Sequence, residues 1–93
     1  MRKTVMLKKA REGLSLAKKL DNRLYQTLFN LLINRIEDKL DQYYSFIEDF
    51  ALPYFQSNKH TMIINRYAKE LYHHYMEIEH YEKAVRTSKI FMD

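Results

Sequence analysis

The stretch that decides the fold runs from Asn22 to Phe50 and reads NRLYQTLFNLLINRIEDKLDQYYSFIEDF. Its apolar residues recur at spacings of three or four, the period of an α-helix with one buried face. That series consists of Tyr25, Phe29, Leu32, Ile36, Leu40, Tyr43, Ile47 and Phe50. Leu24, Leu28 and Leu31 widen the apolar face in the first half. We therefore predict a long core helix over this stretch.

The segment before it predicts a first helix from about Thr4 to Leu20, with a narrow apolar stripe formed by Leu7, Ala10, Leu14 and Ala17. Gly13 weakens this helix, because glycine in a helix costs up to about 1 kcal/mol relative to alanine. Asp21 and Asn22 favour a break, since both residue types cap helix N-termini well. The apolar spacing continues in phase through Leu24, however, so an unbroken helix is an alternative.

The segment after it contains the only proline, Pro53, and then the polar linker Ser57-Asn58-Lys59-His60. Proline forbids a regular helical turn across residues 49–52 and disfavours the α conformation at Leu52. A third helix is predicted from about Thr61 to Phe91, capped by Ser57 or Thr61. Its heptad series is Ile64, Ala68, Leu71, Tyr75, Ile78, Glu82 and Val85, with Glu82 as the one polar member.

The composition agrees with an all-α fold, because 93 residues contain only one glycine and one proline. We expect one domain over residues 1–93, formed by a small helical bundle. Two helices of about 30 residues are long against a mean of about 11–12. Either they form an antiparallel hairpin that a homodimer completes, or the second helix breaks near Asp41–Ser45 and a four-helix bundle results.

The chain has no apolar run of the roughly 20 residues that a membrane-spanning helix needs, so no span is predicted. Its N-terminus lacks the apolar region and cleavage pattern of a secretory signal. We therefore expect a cytoplasmic protein. A mitochondrial transit peptide over residues 1–20 is the alternative, which the low serine content disfavours.

Positive charge is concentrated near the N-terminus. Residues 1–23 hold eight basic and two acidic side chains, a net of +6, whereas the remaining 70 residues carry a net of −2. The basic residues are Arg2, Lys3, Lys8, Lys9, Arg11, Lys18, Lys19 and Arg23. They predict either an ordinary solvated helix face or, as an alternative function, nucleic-acid binding through phosphate contacts.

One spacing on the third helix is typical of metal ligands. Glu70, His73, Glu77 and His80 form two Glu-x-x-His units one heptad apart, and such units supply ligands in di-metal helical bundles. The stripe lies about 100° from the predicted core seam, and the second helix offers no histidine. An exposed polar face is therefore the favoured interpretation, and metal binding an alternative. No cofactor is predicted.

Eight tyrosines are the other unusual feature. Tyr67, His74 and Tyr81 form a stripe of their own beside the predicted seam, and Tyr72 also lies off that seam. Partly exposed tyrosines are enriched in protein interfaces. The alternative is that these residues only widen an ordinary core face. We predict a non-catalytic regulatory or assembly protein that binds another protein through these four residues.

Overall fold

Four three-residue turns divide the chain into helices. The computed structural model describes residues 2–92; it is 86% helical and has no strand within that range. The elements are α1 (Arg2–Lys19), α2 (Arg23–Ile36), α3 (Leu40–Phe46), a π-helical segment (Ile47–Ala51), α4 (Leu52–Ser57), α5 (Thr61–Glu77) and α6 (Tyr81–Phe91). α3, the π segment and α4 follow one another without interruption. The predicted all-α fold class is confirmed.

The same backbone geometry closes all four turns. The middle residue of each is left-handed: Asp21 at φ 52°, Asp38 at 59°, Lys59 at 57° and Glu79 at 60°. At the first turn Asn22 donates its N–H to the carbonyl of Ala17 at 2.8 Å, and Asp21 donates to Lys18 at 3.1 Å. Equivalent pairs of bonds close the other three turns. This is the Schellman motif, which satisfies the last carbonyls of a helix.

Two turns correct the predicted helix lengths. The second predicted helix ends at Ile36 and restarts at Leu40, earlier than the alternative break at Asp41–Ser45. The third predicted helix ends at Glu77 and restarts at Tyr81. Neither turn contains a glycine, the usual left-handed residue at a helix end. The break after Lys19 is as predicted, and Asn22 caps α2 by accepting a hydrogen bond from the Tyr25 N–H at 3.1 Å.

Pro53 does not end its helix, contrary to the prediction. The π segment before it contains a wider turn, in which the N–H of Leu52 bonds to the carbonyl of Ile47. This shift from α to π bonding keeps the helix running where the proline ring would meet a carbonyl of a regular α-helix. Leu52 remains α-helical at φ −65° and ψ −47°, although residues before proline disfavour that region. Neither Ser57 nor Thr61 caps α5, whose N-cap is His60.

The chain divides into two compact units, Met1–Tyr43 and Tyr44–Asp93. In the first unit α1 and α2 form an antiparallel hairpin whose buried residues are Ala10, Ala17 and Leu31. Gly13 has a packing role that the sequence pattern did not reveal: a Cβ there would lie less than 3.0 Å from three atoms of the Phe29 ring. The missing side chain therefore makes room for that ring.

The second unit has its own core. Ile47, Ala51, Phe55 and Ala68 are fully buried, and Leu71 and Ala84 nearly so. α4 packs on α5, and α5 forms an antiparallel hairpin with α6. Ile78 and Val85, predicted to continue the α5 seam, are 55% and 57% exposed because the turn at 78–80 redirects the chain. The single domain over residues 1–93 stays a prediction.

The homodimer also stays a prediction, but the helix lengths that favour it in the sequence differ from those in the structure. The sequence pattern favours two helices of about 30 residues, too long for a 93-residue globule. The longest uninterrupted helices between residues 2 and 92 have 18 residues. Helices of this length do not require a second copy to complete their core.

We expect Gly13→Ala to lower the free energy of unfolding by about 1 kcal/mol. Overpacking against Phe29, which costs about 1–3 kcal/mol, exceeds the gain of about 1 kcal/mol in helix propensity. Urea unfolding followed by circular dichroism measures this change. Ser15→Ala, at an exposed position of the same helix, is the control and should be neutral or slightly stabilising. A more stable Gly13→Ala variant would contradict the packing role.

Glu79→Gly should raise the free energy of unfolding by about 0.5–1 kcal/mol. The left-handed conformation costs an L-residue about 1–2 kcal/mol, whereas glycine adopts it without strain. The greater conformational entropy of glycine in the unfolded state offsets only part of this stabilisation. Glu79→Val is the matched comparison, because a β-branched side chain tolerates this conformation worst. The urea midpoints should therefore rank Gly above Glu above Val, and any other order would count against the turn geometry.

Candidate functional site

The four predicted metal ligands are not brought together. Glu70, His73 and Glu77 lie on α5, which ends at Glu77, and His80 follows the turn as the N-cap of α6. The His80 ring lies 5.9 Å from the Tyr75 ring, and the His73 ring lies 5.4 Å from Tyr72. Among the described residues, no three His, Asp or Glu side chains are placed to hold a metal ion. The predicted two-unit stripe required a continuous helix, and the turn at 78–80 removes it.

The tyrosine stripe is divided for the same reason. Tyr67 is buried and stacks on Phe55 with ring centroids 5.7 Å apart. His74 is half-buried and stacks on Tyr44 at 3.8 Å, with the two rings 6° from parallel. Tyr72 packs edge-on against Phe91 at 5.5 Å. Of the four predicted protein-binding residues only Tyr81, on α6, is exposed. The other three serve mainly to pack the second unit.

The eight N-terminal basic side chains are all exposed. Two of them pair with acids that follow α2: Arg11 lies 2.8 Å from Glu37, and Lys3 lies 4.0 Å from Asp38. Lys8, Arg11 and Lys18 recur at spacings of three and seven and so share one stripe of α1, whereas Arg2, Lys3 and Lys9 lie outside it. Arg23 begins α2. The basic surface therefore includes one line along α1, and other basic side chains lie apart from it.

An open apolar surface lies on the α1–α2 hairpin. Leu16 and Leu20 of this hairpin are 56% and 69% exposed, and Tyr25 is 53% exposed. Together they border a groove of about 250 Å³, which we call the apolar groove. Its lining residues are Gly13, Leu16, Ala17, Leu20, Asn22, Tyr25 and Phe29. No Lys, Arg, Asp or Glu lines it.

The groove exists because α1 carries a second apolar stripe. Leu7, Ala10, Leu14 and Ala17 form the predicted stripe, of which Ala10 and Ala17 are buried. Beside it runs a second line of residues at spacings of three and four, which continues into the turn after α1. Its members are Met6, Lys9, Gly13, Leu16 and Leu20, of which only Lys9 is charged. A single neighbouring helix covers only one of these faces. The second stripe was missed because a lysine and a glycine stand in it, although its spacing was visible in the sequence.

Two α2 residues that the pattern predicts as core, Tyr25 and Phe29, form the other side of the groove, and Leu32 of the same series lies outside it. Tyr25 and Leu32 are 53% and 40% exposed, although both belong to the strongest apolar series in the chain. The buried position of α2 is Leu31. The hydrophobic period therefore located two apolar faces of α2 correctly, but it did not tell which of them the hairpin would bury.

The second unit contains a polar cluster at the π segment. The Tyr75 hydroxyl donates to Glu48 Oε1 at 2.5 Å, and Lys83 Nζ lies 3.1 Å from the same oxygen. The hydrogen bond from Tyr75 is the main cause that holds the pKa of Glu48 below its ordinary value, with Lys83 adding to it. Burial, followed by the Glu48 carboxylate, raises the pKa of Tyr75, which therefore remains a donor at neutral pH.

A cavity of about 210 Å³ adjoins this cluster and is bordered by Glu48, Leu52, Pro53, Gln56, Leu71, Arg86, Thr87 and Ile90. Three of its polar side chains have partners within the fold: Glu48 accepts from Tyr75, Thr87 donates to the Lys83 carbonyl, and Arg86 pairs with Glu82. The cluster joins the π segment to α5 and α6. Its evident role is to fix these elements together.

Comparison of the chain with protein-family models, with curated proteins and with solved structures finds no match in any of the three. None of the helices within residues 2–92 combines the length and the apolar character needed to cross a bilayer.

We expect Tyr75→Phe to lower the free energy of unfolding by about 0.5–1.5 kcal/mol at pH 7, because it removes the hydrogen bond to Glu48. A carboxyl whose pKa is lowered by folding stabilises the fold above its unfolded pKa, near 4.5, and stops doing so as pH falls through the folded pKa. The difference between the two proteins should therefore shrink below about pH 4.5. Thermal unfolding across pH measures it.

Tyr81→Phe is the matched control for this series. Tyr81 is exposed, and its hydroxyl forms no hydrogen bond with the described residues. This variant should follow the original protein at every pH. A Tyr75→Phe deficit that persists unchanged into strong acid would show that the hydroxyl acts through something other than the ionised carboxylate.

Proposed function

We propose that this chain is a non-catalytic protein-binding domain that holds an apolar side chain of a partner in the apolar groove of α1 and α2. The observation that carries the proposal is the exposure of Leu16, Leu20 and Tyr25 around one concave surface. Isolated exposed apolar residues are common in proteins, but a contiguous set around a groove is typical of an interaction site.

The size of the groove favours a macromolecular ligand. Sites for drug-sized ligands enclose roughly 300–1,000 Å³ and place a few polar groups among apolar walls. The apolar groove has about 250 Å³, a volume suited to a single large side chain. Its walls are leucine and aromatic side chains, and anchoring by such a side chain is how most binding energy in protein interfaces arises.

The architecture agrees with a binding function. Antiparallel helical hairpins joined by short turns are the units of α-solenoid proteins, which bind other proteins on extended surfaces. The described residues contain two such hairpins, α1–α2 and α5–α6, closed by turns of identical geometry. This likeness concerns the local units. It supports binding as the class of function and does not identify a partner.

Other parts of the proposal rest on the sequence. A cytoplasmic location and a homodimer remain predictions. The predicted partner surface changes, because Tyr67, Tyr72 and His74 pack within the second unit and only Tyr81 remains exposed. Nucleic-acid binding is the second candidate function, which the exposure of all eight N-terminal basic side chains favours.

Selection from a random peptide library displayed on phage, with the whole chain immobilised, tests the proposed function. We expect enriched peptides to share one large apolar residue, and Leu20→Ala to weaken their binding at least about tenfold, or 1.4 kcal/mol. Val85→Ala is the control, because Val85 is a 57% exposed aliphatic residue in the other unit. Peptides whose binding survives Leu20→Ala but not Val85→Ala would move the site to α6.

A further inference from the structure

The hairpin that bears the apolar groove is strongly basic. Residues 2–36 contain nine Lys or Arg and two acids, Glu12 and Asp21, a net of +7. α2 itself contains no acid. A partner that seats an apolar side chain in the groove must therefore bring its neighbouring side chains into a positive potential.

Particular lysines lie beside the groove. Lys9 stands in the second apolar stripe, one helical turn before Gly13, and Lys19 follows Leu16 by three residues. Both are exposed, and neither forms an ion pair with another residue between 2 and 92. Arg11 and Lys3 differ, since Glu37 and Asp38 already pair with them. Lys9 and Lys19 are thus exposed, unpaired cations within one helical turn of the groove-lining residues Gly13 and Leu16.

We propose that the groove binds an amphipathic helix of a partner protein, in which acidic side chains flank a large apolar anchor. This inference rests on the proposed function and specifies its ligand. Helices commonly bind in apolar grooves through residues spaced three and four apart. Acidic flanks would pair with Lys9 and Lys19, and such complementarity selects partners and speeds their association.

Charge also argues against two other occupants. A symmetric contact between two copies would bring two basic hairpins together, each of net +5 over residues 2–38 with Glu37 and Asp38 counted, which is unfavourable. Insertion into a lipid surface would require the Lys9 ammonium, which stands in the same stripe as Met6 and Leu16, to reach back to the headgroups, and α1 has no Trp or Phe to anchor it. A separate acidic helix satisfies both the apolar and the charged parts of the surface.

Two synthetic helical peptides test the inference. Both carry the same leucines and one central phenylalanine at helical spacing; one has Glu at the flanking positions and the other has Lys. We expect the Glu peptide to bind at least about tenfold more tightly, with an affinity that falls as salt rises. Lys9→Glu/Lys19→Glu should reverse this preference, whereas Lys69→Glu, an exposed charge change in the other unit, should leave it unchanged.

The outcomes separate this inference from the proposed function. Equal binding of both peptides, lost in Leu20→Ala, would overturn the acidic specificity and leave the protein-binding function standing. Failure of the Glu peptide to bind at all would overturn the inference, while the phage selection would still decide the proposed function. Circular dichroism establishes whether each variant folds. If the Lys9→Glu/Lys19→Glu variant does not fold, Lys9→Gln/Lys19→Gln replaces it. We expect this neutral variant to abolish the preference for the Glu peptide without reversing it.

Three further measurements would also overturn it. Binding to vesicles of anionic phospholipid, with loss in Lys9→Glu/Lys19→Glu and no binding of the Glu peptide, would make a membrane surface the occupant. Binding to a DNA duplex, with loss in Lys9→Glu/Lys19→Glu and no binding of the Glu peptide, would make a nucleic acid the occupant. A dimer in light scattering that Leu20→Ala dissociates would make it a second copy.

Discussion

The structure depends on one backbone constraint: four residues that are not glycine hold the left-handed conformation at the helix ends. Asp21, Asp38, Lys59 and Glu79 all do so, and each turn is closed by the same pair of hydrogen bonds. The cost of that conformation, about 1–2 kcal/mol for an L-residue, must be offset by packing and by the carbonyls that the turn satisfies. Aromatic contacts add to two of the turns, His60 on Phe55 and His80 on Tyr75.

These turns determine which apolar faces are buried. The turn at residues 20–22 folds α2 back on α1, so that one stripe of each helix meets the other, and the break at Glu37–Lys39 limits α2 to 14 residues. The remaining stripes stay open and form the apolar groove, with Leu16 on α1, Leu20 in the turn that follows it and Tyr25 on α2. The close approach of Phe29 to Gly13 brings the two helices together at its floor. The same turns remove the conditions for a metal stripe and for an exposed tyrosine stripe, because both needed a helix continuous beyond Glu77.

In the second unit a helix continues through a proline, Pro53. The π segment provides the wider turn, and it also places Glu48 where Tyr75 and Lys83 reach it. A partly exposed carboxylate with two such partners links three elements through polar contacts. The two units thus differ in character. The first presents an open apolar groove with exposed cations near it, whereas the Tyr67, Tyr72 and Tyr75 rings of the second pack within that unit.

The sequence by itself determined the helical fold class, the cap at Asn22, the linker before α5 and the concentration of basic charge on α1. These properties follow from local composition and from a period of 3.6 residues, so they are readable from one chain. Tertiary structure alone decided where the long periodic stretches break, because a left-handed Asp38 or Glu79 carries no signal as strong as glycine. It also decided that Tyr67 is buried and Tyr25 is exposed, since both lie on apolar helix faces and only the neighbouring helix selects which face is covered.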